Sequence, residues 1–238
     1  MIAPWQPDDE HAGQTARMEA ETDAFFCPGG ALERACEGEP FPFEYRPQQE
    51  SMAAGVARAI GAGHHLAVEA GTGVGKSFAY LVPGILSAVH RKARTVVATY
   101  TISLQEQLIR KDVPFLREHM GVDFRAVLVK GKSNYLCLRR LARTSRFGAD
   151  LLRKDRMREL EAIRRWAETT DDGSLQALPE QPSTDVWAAV NVEDGNCRGR
   201  RCPDYARCFY MRARARMDSA HLLVANHHLL FADLAVRM

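Results

Sequence analysis

The sequence predicts an α/β fold, a parallel sheet covered by helices on both faces and interrupted by a mainly helical insertion. Three observations carry that expectation. Short apolar runs rich in β-branched residues alternate with stretches of helical periodicity through residues 50–129. A glycine-rich turn joins the first apolar run to the helix behind it. The alternation then gives way, over 137–217, to arginine-rich helical segments and a group of cysteines, and resumes in a last apolar run at 221–225.

Taken in order, residues 1–40 read as a lead-in segment with a short helix over Gln14–Asp23, broken by Cys-Pro-Gly-Gly. Glu50–Ala62 carries Met52, Val56, Ala59 and Ile60 at helical spacing and stops at Gly61 and Gly63. His65–Ala70 suits a buried strand, and a helix follows from Gly75 to about His90. Arg94–Thr99 is a second strand, Ser103–His119 a helix closed near Gly121, and Phe124–Val129 a third strand. Leu138–Glu168 reads as helix, with Leu141, Leu151, Leu152, Leu160, Ile163 and Trp166 as core positions. Thr169–Glu193 is polar and reads as an irregular connection, and His221–Ala225 is the fourth strand. The expected organisation is a lead-in at 1–40, a first part of an α/β domain at 41–136, an insertion at 137–217 and a return strand at 218–238.

A length of 238 residues with 46% hydrophobic and 26% charged residues, 17 Gly and 11 Pro excludes disordered, collagen-like and coiled-coil classes. No run is long and apolar enough to span a bilayer, and the first ten residues lack the basic start and apolar core of an export signal, so the expected location is cytoplasmic. The net charge of +2 hides a strong asymmetry. Residues 1–50 carry eleven acids against three bases, 130–168 twelve bases against five acids, and 195–217 seven arginines against Asp204 alone. Such runs are either solvated helix faces or an anion-binding surface, and two of them bracketing one set of cysteines favour the second.

Ala70-Gly-Thr-Gly-Val-Gly-Lys-Ser77 lies between an expected strand and an expected helix, the context of a phosphate-binding P-loop. Gly71, Gly73 and Gly75 let the backbone of Ala70, Thr72 and Val74 curl so that N–H groups converge on phosphate oxygens at a helix N-terminus. Lys76 would reach the β and γ phosphates and Ser77 would ligate Mg²⁺, which makes these two the catalytic candidates. Ala70 stands where the simplest pattern has glycine. Upstream, Tyr45-Arg-Pro-Gln-Gln-Glu-Ser-Met52 places Gln49, whose amide can pair both ways with an adenine edge, just before the helix leading into this run. Downstream, Thr99-Tyr-Thr-Ile-Ser-Leu-Gln-Glu-Gln-Leu108 offers hydroxyls and a helix start to a nucleic-acid backbone, or a helix cap.

Six cysteines without an export signal point to metal or packing rather than disulfides. Cys137, followed after fifty-nine residues by Cys197-x4-Cys202-x5-Cys208, supplies four thiolates. That number serves a tetrahedral ion or a [4Fe–4S] cluster. The absence of tight C-x2-C pairs favours the cluster over zinc, with buried thiols packed as small hydrophobes as the remaining reading. Tyr205, Phe209 and Tyr210 among arginines either stack on bases or form a small core.

In their order these motifs resemble the DinG-type, XPD-like branch of superfamily 2 DNA helicases, from about Phe25 to Asp233. The matching segments are Phe25-Phe26 with Pro28-Gly29-Gly30, the Arg-Pro-Gln-Gln element, the loop at 70–77, the element at 99–108, Lys130-Gly-Lys-Ser-Asn-Tyr-Leu-Cys137, the cysteine trio and Val224-Ala-Asn-His-His-Leu-Leu230. The resemblance implies a RecA-like P-loop NTPase sheet. It also implies ATP and Mg²⁺ as ligands, a 4Fe-4S cluster held by Cys137, Cys197, Cys202 and Cys208 in an inserted domain, and 5′ to 3′ movement on single-stranded DNA at forked or displaced-strand substrates. Cys27 and Cys36 match no ligand of that family, and His227-His228 is expected to have a structural or coupling role. The family's Asp-Glu-Ala-His element, due after the strand at 221–225, and its second motor domain do not occur in these 238 residues. The chain is therefore expected to be the N-terminal part of a monomeric helicase and, alone, to turn over ATP negligibly. The alternatives are a non-catalytic nucleic-acid-binding module with structural zinc and a relic P-loop, or a small-molecule kinase.

Overall fold

Helices dominate the computed structural model, which describes residues 9–37, 43–147 and 154–237. The core candidates Leu151 and Leu152 lie outside the described residues. The chain divides into two compact units, one formed from 1–129 and 220–238 and the other from 130–219.

In the first unit, α1 (Asp9–Phe26) and α2 (Ala31–Ala35) precede α3 (Pro47–Ala62) and α4 (Lys76–His90). Pro47 opens α3, where its missing N–H costs nothing, and Gly63 closes it in the left-handed conformation, φ 65°. Helices α1, α3 and α4 share a core around Met18, Ala53, Ala57, Leu81, Val82 and Ile85. Gly61 permits the close approach of α1 and α3, since a Cβ there would fall 2.4 Å from Thr15 Cγ2. At the end of α4, His90 Nε2 lies 2.7 Å from a Glu21 carboxylate oxygen, and Arg91 donates to Thr15 Oγ1 at 2.6 Å and to the Ile60 carbonyl at 3.2 Å. Partial burial pushes the Glu21 carboxyl up, but hydrogen bonds with Arg17 and His90 outweigh it and hold the group below its ordinary value.

The sheet holds β1 (Thr95–Thr99), β2 (Ala126–Leu128) and β3 (Leu222–Asn226), all parallel, in the order β1-β3-β2. Thr95 pairs with Leu222 and Leu222 with Ala126, while Val97 pairs with Val224 and Val224 with Leu128. Leu222 and Val224 are fully buried in the helical core, and Val97, Ala126 and Leu128 pack against it. The opposite face, which carries Val96 level with Leu223 and Val127, is open at Val96. Elsewhere on that face Ala225 is buried and Ala98, Val127 and Leu223 are half-buried. Between β1 and β2, α5 (Ile102–Gln107) runs through one π-helical turn, Leu108–Asp112, into α6 (Val113–His119).

The run at 65–70 departs from expectation. Its backbone is not part of any ladder, and Leu66 and Val68 are 49% and 47% exposed. Composition favours an extended conformation, but a strand also needs a neighbouring edge to bond its N–H and C=O groups. Among the described residues the three strands pair only with one another.

The second unit packs α7 (Leu138–Phe147), α8 (Lys154–Thr169), α9 (Thr184–Val190) and α10 (Phe209–Asp218) around Leu136, Leu160, Ile163, Val186, Val190 and Phe209. Helix α9 lies where the sequence reads as irregular. Its three apolar anchors, Val186, Trp187 and Val190, all bury, and the Trp187 indole donates to the Ser133 carbonyl at 2.8 Å. Phe209 and Tyr210 belong to this core, which decides between the two roles open to them. Among the described residues no helix is long and apolar enough to cross a membrane.

Candidate nucleotide and metal sites

The glycine-rich loop carries Gly73 and Gly75 at φ 82°, a left-handed conformation that a side chain strains. Gly75 is the N-cap of α4, and Gln49 from the first turn of α3 packs against it so tightly that a Cβ would lie 2.1 Å from the amide nitrogen. Gln49 Nε2 donates to the Gly75 carbonyl at 2.9 Å, and the residue is only 7% exposed. One amide hydrogen and the amide oxygen are left to face a ligand. Lys76 folds back onto its own loop, Nζ donating to the Ala70 carbonyl at 2.9 Å and to that of Gly71.

A cavity of about 360 Å³ opens beside this junction, lined by Arg46, Gln49, Gly75, Ser77, Gln107 and Asp112 among others. Arg46 is held by Glu44 at 3.0 Å. Ser77 lies near enough to the Tyr80 phenol and to the Asp112 carboxylate to influence both, and Gln107 approaches the same carboxylate. Burial pushes the Asp112 carboxyl up from its ordinary value, partly offset by Gln107 and Ser77. Its Oδ2 is buried without a hydrogen-bond partner. A hydroxyl and an unsatisfied carboxylate oxygen are the hard oxygen donors that suit Mg²⁺. Asp112 stood out in no sequence motif, since the π-helical turn that delivers it has no signature in a single sequence; Arg46 and Gln107 lie inside elements that did.

At the C-terminal ends of β1 and β3, Thr99 Oγ1 donates to the Thr101 carbonyl at 3.0 Å, and Thr101 Oγ1 caps α5 by accepting from the Leu104 N–H at 3.3 Å. His227 sets a ring nitrogen 3.2 Å from the Ala98 carbonyl and lies between the rings of Tyr100 and Phe231, centroids 6.3 and 6.0 Å away. Asn226 donates to the Tyr100 carbonyl at 3.4 Å and accepts from the His228 N–H at 2.7 Å. These contacts tie β3 to β1.

In the second unit, Cys197, Cys202 and Cys208 lie on successive tight turns, with Cys202 N–H donating to Gly199 O at 3.0 Å and Cys208 N–H to Tyr205 O at 3.2 Å. Cys137 opens α7, accepting from the Leu141 N–H at 2.9 Å. Burial pushes the Cys208 thiol up, and the nearby Cys137 and Cys197 push it further. Among the described residues, however, no three His, Cys, Asp or Glu side chains converge tightly enough to grip a single metal ion. Arg140 is spent internally, donating to the Ala188 carbonyl at 2.7 Å and to the Asn191 carbonyl at 2.9 Å. Arg198, Arg200, Arg201 and Arg207 make no ion pair among the described residues.

No family model matches the sequence. The chain is 36% identical over 213 residues to the ATP-dependent DNA helicase YoaA of Escherichia coli (strain K12), covering 89% of this chain and 32% of that protein. It is 37% identical over 205 residues to the ATP-dependent helicase DinG of Mycobacterium tuberculosis (strain H37Rv), covering 79% and 31%. To the ATP-dependent DNA helicase DinG of Salmonella choleraesuis it is 31% identical over 234 residues, covering 92% and 32%. The chain thus spans about a third of the length of these curated relatives. Over most of its residues the chain is thus similar to one part of the DinG-type helicases.

Proposed function

We propose that this chain is the ATP-binding portion of a DNA helicase that carries a [4Fe–4S] cluster and moves 5′ to 3′ on single-stranded DNA, opening forked or displaced-strand substrates. The observation that carries the reading is the hydrogen bond from Gln49 to Gly75, which joins the Arg-Pro-Gln-Gln element to the glycine-rich loop over one cavity. Loop N–H groups at the head of α4 would hold the phosphates of ATP, Gln49 would read the adenine edge, and Lys76 would leave the Ala70 and Gly71 carbonyls for the β and γ phosphates. Ser77 would present its oxygen to Mg²⁺, which, when bound, neutralises charge on the β and γ oxygens. The relatives' names as ATP-dependent helicases support the same assignment.

Cys137, Cys197, Cys202 and Cys208 are proposed as the cluster ligands. The influence of Cys137 and Cys197 on the Cys208 thiol supports this, and a cubane's thiolates stand farther apart than the ligands of one ion because each binds a different iron. In the second unit, exposed Arg198, Arg200, Arg201 and Arg207 around the trio would contact the phosphates of a single strand.

Anaerobic purification tests the cluster. The expected product is brown, with about four iron and four sulfide per chain; a colourless protein with stoichiometric zinc would overturn it.

A further inference from the structure

Helix α9 ends on carbonyls that its own turns do not use. The Asn191 N–H donates to the Trp187 carbonyl at 2.9 Å, so the carbonyls of Ala188, Ala189, Val190 and Asn191 need partners from outside the helix. All of them are met by one face of α7 and the residue that opens it. The Cys137 N–H donates to the Val190 carbonyl at 2.8 Å and Thr144 Oγ1 to that of Ala189 at 3.3 Å. The Arg140 guanidinium takes the other two, Ala188 at 2.7 Å and Asn191 at 2.9 Å. Residues 137, 140 and 144 are spaced three and four apart, so they follow a single stripe of the helix. Arg140 binds the junction most heavily. It is 8% exposed, reaches Asn191 Oδ1 at 3.0 Å and pairs with a Glu193 carboxylate oxygen at 3.2 Å. A cation at a helix C-terminus makes these bonds charge-assisted. Next to it, Arg139 donates to the carbonyl of Asn196, the residue before Cys197.

We infer that Arg140 is a positioning residue for the cluster ligands, locking the last turn of α9 onto the start of α7 so that Cys137 is held in place before any metal is bound. A ligand whose backbone is already fixed loses less freedom when it binds, and the guanidinium fork fixes two carbonyls on either side of the one that Cys137 uses. Arg140 Nε, buried without a partner one helical turn from Cys137, is an unused donor of the kind that bonds cluster sulfurs. The inference rests on the reading of Cys137 as a cluster ligand.

The test is the rate at which the anaerobically purified 238-residue chain gives up iron to excess ferrous chelator, read by the loss of visible absorbance, beside a melting curve for each variant. Arg140→Met keeps the buried stem without the donors and is expected to release iron about tenfold faster than wild type. Arg140→Lys keeps the charge but not the fork and should release it about threefold faster. Leu160→Ala is the control for stability, since it empties space in the same core from α8 and leaves the bonds between α7 and α9 in place. It is expected to melt at least as low as Arg140→Met yet release iron within about twofold of the wild-type rate. Release rates that merely follow the melting temperatures would overturn the positioning role. Should the methionine variant not fold, the lysine variant decides by the same comparison. A wild-type chain that holds no iron overturns the cluster reading and this inference with it. Iron held by wild type and released at the same rate by the Arg140 variants overturns the inference alone.

Discussion

Lys76→Ala is expected to weaken ATP binding by this chain about a hundredfold while leaving its thermal stability within about 2 °C of wild type. The two halves of that expectation come from the same geometry. Without ligand the ammonium group bonds the carbonyls of Ala70 and Gly71, beside exposed Thr72 and Gly73, so water replaces it when it is removed. The helix behind it keeps its buried face of Ala79, Leu81, Val82 and Ile85. With ATP in place, the lost contact is a charge-assisted one to phosphate in a partly enclosed cavity, worth about 3 kcal/mol, or roughly two decades in affinity. Calorimetric titration beside a melting curve checks both. An affinity within tenfold of wild type would place the phosphates elsewhere.

Gly173→Ala is expected to destabilise the second unit by about 3 kcal/mol, the largest stability effect of any single methyl group considered. Gly173 has φ 64°, and a Cβ there would lie 2.1 Å from Phe209 Cγ, inside a ring that is itself 3% exposed. The backbone cannot step aside, because the Gly173 carbonyl accepts from the Leu136 N–H at 2.9 Å and its own N–H donates to Thr170 Oγ1 at 3.1 Å. The Arg212 guanidinium sits over the Phe209 ring, 5.0 Å from its centroid, and helps to fix the ring. Left-handed strain accounts for about 1 kcal/mol and overpacking for about 2. Gly195→Ala separates them, since Gly195 has φ 80° with nothing near its absent Cβ and should cost only about 1 kcal/mol. Thermal unfolding read by tryptophan fluorescence, with Trp166 and Trp187 both in this unit, should rank the variants in that order. Equal shifts would remove the steric part of the argument.

What the sequence makes legible follows from how local each signal is. The helix behind the glycine-rich loop and the strands at 95–99, 126–128 and 222–226 are set by periodicity and β-branched composition within a few residues. The segment 65–70 has the same composition, yet its pairing depends on an edge elsewhere in space, which no local pattern encodes. Helix α9 was hidden because seven residues give barely two turns of periodicity, and only the burial of Val186, Trp187 and Val190 reveals its inward face. The Gln49 element and the glycine-rich loop were each readable. That the amide would seat on the Gly75 carbonyl rather than stand wholly free for a base depends on how α3 packs against α4. Asp112 is invisible for a related reason, since a π-helical turn places it on the wall of the cavity.

Whether adenine nucleotide occupies the cavity between Gln49 and the loop is tested most directly by titrating the chain with ATP and with GTP in Mg²⁺. The expected result is one ATP per chain, GTP at least about tenfold weaker, and a Gln49→Ala variant that no longer distinguishes the two. Saturable binding that is equal for both nucleotides, or no binding of ATP at all, would contradict it.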